Sequence, residues 1–240
     1  MKKTLLASLI ALLLCQFSMA ETFLIGEEWT AEPTTPQKLV VACVGDSITY
    51  GHGASKRDVT SYPAVLQKLL GDEWEVHNFG HNARTALDEG VEWNGQKNLG
   101  YRKSPNFQKS KDCKPNFVIF MLGSNDSKKV NWEGKQEQFK HDYAALIDEY
   151  LALDPKPLVI IGTSPYVQKD RWQINEAVVG NEIVPWQREF AKERGLPVVE
   201  VYNIMKDNAA DSFCDGIHPN DKGYALIAEA MAAKLREITK

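Results

Sequence analysis

The chain has 240 residues, of which 43% are hydrophobic and 25% charged, and a formal net charge of −4. That length supports one sizeable core but not two comfortable ones. So mild a charge leaves no electrostatic footprint for a nucleic-acid partner.

The N-terminus reads as an export signal. Lys2 and Lys3 precede an apolar run from Leu5 to Leu14, and Ser18-Met19-Ala20 supplies a small-x-small site with cleavage expected after Ala20. The run is too short to span a bilayer as a helix, so no stable membrane insertion is expected once it is removed, and a periplasmic or extracellular location follows. Lipoprotein processing at Cys15 is the rival reading, weakened because Leu14 before it is not small. Residues 21–37, with the Pro/Thr stretch "TAEPTTPQ" at their end, are expected to form an extended arm, and 38–240 a single domain. The cysteines left after cleavage are Cys43, Cys113 and Cys214, an odd number. Cys43 lies in an apolar run and is expected to be a small buried hydrophobe. A Cys113–Cys214 bridge is disfavoured, because the topology expected below puts the two at opposite ends of the sheet.

From residue 38 onward, apolar runs alternate with helical patterns. "KLVVACVG", "EWEVHNFG", "NFVIFMLG", "PLVIIGTS" and "LPVVEVY" are predicted strands. Three of them are almost continuous in Val, Ile, Leu and Phe, as strands buried on both faces require. Helical stripes fall at Val65, Leu66, Leu69 and Leu70; at Phe139, Tyr143, Leu146, Ile147 and Tyr150; and at Tyr224, Ile227, Ala228, Met231 and Leu235. Strand and helix in alternation predict an α/β domain, a parallel sheet with helices on both faces. Residues 90–114 are polar and long for a connection, and long connections are often functional.

In open parallel sheets, ligands bind beyond the carboxyl ends of the strands. The first predicted strand ends in Gly45-Asp46-Ser47, the second in Asn78-Phe79-Gly80 and the third in Gly123-Ser124-Asn125-Asp126. After the last comes Asp215-Gly216-Ile217-His218-Pro219. Singly, each has a plain structural reading: Ser47 as a helix cap, Gly80 as a turn glycine, Asn125 and Asp126 as caps, His218 as a surface loop residue. Together they supply the parts of an acyl-transfer site: a nucleophile, oxyanion donors, a base and a group to orient it.

The blocks "VGDSITYG", "NFGHNART", "LGSNDS" and "DGIHPN", in this order and spanning almost the whole domain, resemble the GDSL/SGNH hydrolase family. The one departure from the family name is Ile48 where it has Leu, an apolar swap. The resemblance implies a three-layer, flavodoxin-like α/β/α fold with a five-stranded parallel sheet. It also implies Ser47 as nucleophile, His218 as base and Asp215 as its orienter, with the Ser47 N–H, the Gly80 N–H and the Asn125 amide as oxyanion donors. Gly80 suits that role because a backbone N–H approaches a substrate most easily where no Cβ intervenes. Asp46 and Asp126 read first as acids bonding the loop backbone, with Asp46 kept among the candidate substrate contacts. His81 follows Gly80 and is a candidate pocket residue. Arg84, expected to open a helix, could serve a salt bridge or the substrate. His52, His77 and His141 read as non-catalytic.

No His/Cys/Asp cluster has metal-ligand spacing, and no phosphate-cradling loop is present, so no metal or cofactor is expected. The segment after the second strand has no apolar lid, and it carries Trp93, Tyr101 and Phe107 among polar residues; Trp132, Trp172 and Trp186 lie further on. Aromatic faces among polar groups suit sugar rings, and Trp93, Tyr101 and Trp132 are the candidate platforms, although any single aromatic residue is as readily part of the core. "YRKSPNFQ" upstream of "FVIFMLGSNDSKKVNW" also resembles the bacterial branch of the family with sialate-type and other carbohydrate O-acetylesterases. The expectation is a secreted serine esterase that removes O-acetyl groups from a small-molecule or glycan ester. The alternatives are a short-chain lipolytic or aryl esterase of the same fold and, more remotely, a non-catalytic glycan-binding module.

Overall fold

The computed structural model describes residues 37–240. The signal expected over 1–20, Cys15 and all but the last residue of the 21–37 arm lie outside that range. Five parallel strands form one sheet: β1 (Leu39–Gly45), β2 (Trp74–Gly80), β3 (Phe117–Met121), β4 (Leu158–Gly162) and β5 (Val198–Val199). Their order is β2-β1-β3-β4-β5, the flavodoxin-like arrangement.

Alternate side chains of the strands fill two separate cores, as the two-residue period of a strand requires. Val41, Cys43, Ile119 and Met121 pack with Tyr62 and Leu66 of helix Tyr62–Leu70, Val201 and Met205 of helix Val201–Asp207, and Ile227, Met231 and Leu235 of helix Asp221–Ile238. Ala42, Val44, Val118 and Phe120 face the other way, onto Phe107, onto Phe139, Tyr143 and Tyr150 of helix Gln136–Leu151, and onto Phe190 of helix Val184–Arg194. Cys43 is fully buried, and Cys43, Cys113 and Cys214 are all free thiols.

Two expectations are corrected. The apolar run 196–202 is a strand for only two residues. From Val201 the chain turns into a helix, because Val201 and Met205, one turn apart, bury together while Thr163 Oγ1 accepts the Tyr202 N–H at 2.9 Å. The segment 90–114 is also less irregular than its composition suggests. Its second half holds helix Pro105–Asp112, which packs Phe107 under the sheet. The topology asks for such a helix: β2 and β3 lie on either side of β1, and parallel strands need a crossover, usually helical. Ser104 caps this helix by accepting the Asn106 N–H at 3.1 Å, and Pro105 opens it.

Candidate active site

At the tip of β1 the chain must turn sharply. Gly45 makes this possible, since a Cβ there would lie 2.1 Å from Thr49 Oγ1 and 2.6 Å from the Met121 carbonyl. Asp46 caps the short helix Ser47–Tyr50, its Oδ1 accepting the Ile48 N–H at 2.9 Å. Ser47 is thereby the first helical residue, and its N–H has no intrahelical partner. Its Oγ lies 3.0 Å from His218 Nε2. His218 Nδ1 lies 2.7 Å from Asp215 Oδ2, and Asp215 Oδ1 accepts the N–H groups of Ile217 at 2.9 Å and His218 at 2.7 Å. One turn, with Gly216 at φ 91°, therefore fixes acid and imidazole together.

Burial pushes the Asp215 carboxyl up, but the bonds from His218 and Ile217 outweigh it, so Asp215 sits below the usual carboxylate range. Burial also lowers His218. The Asp215 bond and charge push back, the neighbouring His52 and Arg171 lower it further, and the net is below an ordinary histidine. The His218 ring is flanked by His52, with centroids 4.2 Å apart, and by Trp172 at 5.5 Å. Trp172 is held there by a tight turn. Ile174 N–H donates to the Arg171 carbonyl at 2.9 Å, and Trp172 and Gln173 take positive φ of 50° and 64°. Such values cost non-glycine residues roughly 1–2 kcal/mol each and cluster at functional sites. A cleft of about 210 Å³ opens over Ser47 and His218, lined by Asn125, Ala83, Trp93, Trp172, Glu92 and Lys128 among others.

The model of the GDSL-like Lipase/Acylhydrolase family matches residues 43–226. The chain belongs to the GDSL-like lipase/acylhydrolase family. Over 213 residues it is 35% identical to an acetylxylan esterase of Xylanibacter ruminicola, a match covering 82% of this chain and 43% of that protein. The chain thus spans less than half the length of that curated relative. It is also 23% identical to the uncharacterized protein YpmR of Bacillus subtilis, over 98% of this chain and 95% of the other. Among solved structures, a carbohydrate acetylesterase family member from Sinorhizobium meliloti superposes with a TM-score of 0.66 at 21% identity, covering 83% of this chain and 98% of its own. The M. smegmatis aryl esterase does so with a TM-score of 0.66 at 19% identity, covering 83% and 99%. These superpositions establish the shared fold.

In this GDSL-family chain the structure brings Ser47, His218, Asn125 and Trp93 to one cleft, sets Asp215 behind His218, and keeps several other candidates away from it. Gly80 does not line the cleft. Its N–H donates to Asn78 Oδ1 at 2.9 Å, and its missing Cβ lets β2 close against the serine turn, where a Cβ would lie 2.0 Å from Tyr50 N. The residue that does face the cleft from this loop is Ala83, at φ 61°, whose N–H makes no hydrogen bond among the described residues. Tyr101 is not a platform: it is fully buried and its hydroxyl donates to the Phe79 carbonyl at 2.8 Å. Trp132 is buried in the core, with Nε1 donating to Glu182 Oε2 at 3.0 Å. Trp186 packs on Phe139 and Tyr143.

Asp46 is buried as the cap and receives the Asn125 amide at 3.3 Å, so it is no substrate contact. His81 is tied to Ser104 Oγ at 2.7 Å and to Arg84 Nη2 at 3.2 Å, outside the cleft. Arg84 opens no helix. It sits in a turn where its N–H donates to the His81 carbonyl, and its Nη1 donates to the Asn98 carbonyl at 3.1 Å. The fold also forms one cluster that spacing did not show: ligand atoms of His52, Asp215 and His218 lie within 4.8 Å of one another. Two of its three members are already bonded to each other as the acid–imidazole pair. Among the described residues no helix is long and apolar enough to cross a membrane.

Proposed function

We propose that this chain is a serine esterase that removes O-acetyl groups from carbohydrates through an acyl-enzyme. The observation that carries the reading is the continuous chain Ser47 Oγ–His218 Nε2, His218 Nδ1–Asp215 Oδ2, opening on a cleft lined by two indoles, Trp93 and Trp172. Ser47 Oγ attacks the acetyl carbonyl while His218 Nε2 takes its proton; His218 then returns that proton to the departing sugar hydroxyl. Water, deprotonated by the same imidazole, attacks the acetyl-serine and releases acetate. Asp215 holds the Nδ1–H tautomer and stabilises the imidazolium. The oxyanion is met by the Ser47 N–H, the Asn125 amide and the Ala83 N–H. Ala83 replaces Gly80 in this role because it faces the cleft with an uncommitted donor.

Trp93, 53% exposed, and Trp172 both line the cleft, and indoles suit contact with a sugar ring. The similarity to an acetylxylan esterase supports the same substrate class. The test is a panel of p-nitrophenyl esters from acetyl to octanoyl beside O-acetylated sugars, with Ser47→Ala as control. Acetate release from the sugars, a steep fall with acyl length and loss of all turnover in Ser47→Ala at unchanged circular dichroism are expected. A better rate on octanoate would replace the carbohydrate reading by a lipolytic one.

A further inference from the structure

The cleft contains a charge pair that the hydrolytic chemistry does not use. Lys128 Nζ lies 2.5 Å from Glu92 Oε1; Lys128 is 2% exposed and Glu92 9%, and both line the same cleft as Ser47 and His218. Both charges are held by the scaffold that holds Asn125. Lys128 directly follows the turn Asn125–Ser127. Asn131 ties the Glu92 loop to that turn: its Oδ1 accepts the Val91 N–H at 2.8 Å, and its Nδ2 donates at 2.9 Å to the carbonyls of Val91 and Asn125.

Burying an ion pair is weak evidence for stability, because desolvation offsets most of the attraction. The pair is also not saturated. An ammonium has three donors and a carboxylate two oxygens. Among the described residues Lys128 Nζ makes one hydrogen bond, and Glu92 Oε1 takes both that bond and the Trp93 N–H at 3.1 Å. Glu92 Oε2 and the remaining Lys128 N–H groups are left for a ligand. An acceptor beside a donor fits a sugar hydroxyl pair next to the acetylated position. The pair as a whole is neutral and already satisfies its own charge, so a sugar carboxylate would gain little from Lys128 and would meet Glu92 as a like charge in a partly desolvated site.

We propose that Lys128 and Glu92 form a hydroxyl-reading subsite on the alcohol side of the cleft, which selects neutral sugars over acidic ones. This rests on the carbohydrate reading above and narrows it. The test compares kcat/KM on methyl 2-O-acetyl-xylopyranoside, on methyl 2-O-acetyl-glucuronopyranoside and on p-nitrophenyl acetate, which has no hydroxyls. The wild type should favour the neutral sugar over the glucuronide by roughly 10–100-fold, the range of one or two charge-assisted hydrogen bonds. Glu92→Gln should shift that preference toward the glucuronide by at least about tenfold, since it leaves the Lys128 charge uncompensated. The double variant Glu92→Gln/Lys128→Met removes both charges at similar volume. Its ratio of neutral sugar to p-nitrophenyl acetate should fall by about tenfold or more, with cooperative thermal unfolding showing that it folds. Equal wild-type rates on the two sugars, or a double-variant ratio equal to that of the wild type, would overturn the subsite alone. A wild type that cleaves p-nitrophenyl acetate and neither sugar would overturn the carbohydrate reading and the subsite with it.

Discussion

Asn125→Ala separates a transition-state donor from a packing residue. Asn125 is 4% exposed and lines the cleft beside Ser47. Loss of one oxyanion donor lowers kcat by roughly 10²–10³-fold, about 2.7–4 kcal/mol in the barrier. Both N–H groups of that amide are engaged in the free enzyme, by the Arg84 carbonyl at 3.1 Å and by Asp46 Oδ2 at 3.3 Å, so the longer Asp46 bond is the one that gives way when the amide turns an N–H to the oxyanion. Each of these bonds is worth about 0.5–1.5 kcal/mol net, and Asp46 keeps the Ile48 N–H on its other oxygen. The truncation should therefore cost about 1–3 kcal/mol of stability as well, a fall in Tm of about 2–4 °C per kcal/mol for a domain of this size. Steady-state kinetics on p-nitrophenyl acetate at 25 °C, beside a thermal unfolding curve, read both quantities. A loss of kcat under tenfold accompanied by that fall in Tm would show that Asn125 only packs. A loss confined to KM would make it a ground-state contact.

Ala83→Pro, which fixes φ near −65° and removes the N–H, should lower kcat by about 10²-fold or more, while Ala83→Gly, at home at positive φ, should keep it within a few-fold; equal losses would return the donor role to another residue. His218 must be neutral to take the serine proton, so activity falls as pH drops through its pKa, and a lowered pKa puts the acid limb of kcat/KM below an ordinary histidine's. His52 and Arg171 lower that pKa and Asp215 raises it, so His52→Gln should move the limb to higher pH; an unmoved or lower limb refutes the coupling. Tyr101→Ala should destabilise the fold by about 3–5 kcal/mol, as a core truncation does, whereas Trp93→Ala should leave Tm nearly unchanged and raise KM for an acetylated sugar.

Much of this was legible in the sequence. β1, β3 and β4 stand out because each is a dense apolar run ending in Gly or a polar turn, and a parallel sheet buries such runs on both faces, whereas the edge strand β2 is mixed and half-buried. The order of Ser47, Asn125 and the Asp215–His218 pair at strand ends points to a candidate site, and the structure gathers Ser47, Asn125 and His218 at one cleft. The run 196–202 hid a helix start because an apolar stretch that short has no period to read. The signal for helix Pro105–Asp112, a Ser-Pro pair at its N-terminus, was present but outweighed by the polar residues around it. The proposed donor at Ala83 rather than Gly80 has a deeper cause. A glycine at a strand end suggests a donor without a Cβ, but at Gly80 the missing Cβ serves strand packing, and nothing in an alanine announces a φ of 61°. Tyr101 and Trp132 sit among polar neighbours in sequence and among apolar ones in space. Lys128 and Glu92, 36 residues apart, meet where Asn131 bonds both of their loops, a contact no spacing in the sequence announces.

The two buried acids explain why the donors can be held in place before the substrate arrives. Asp126 accepts the N–H groups of Ala86 at 3.0 Å and Leu87 at 2.9 Å, which anchors the loop after β2 to the end of β3. Asn125 adds a bond to the Arg84 carbonyl, next to Ala83. Ala83 and the Asn125 amide therefore belong to one hydrogen-bonded unit that holds both donors close to the site before the substrate arrives, and only the Asn125 N–H shared with Asp46 has to turn. Two carboxylates so close to a developing negative charge would oppose it if both were ionised. Burial moves them the other way: it is the largest influence on each, pushing Asp46 up to about 7 and Asp126 to about 6, while Lys128 pulls both back down. Burial thus favours the neutral form of both acids, which lowers the negative charge beneath Asn125. Lys128, which pairs with Glu92 in the cleft wall, is thus also a charge that acts on the acids beneath Asn125.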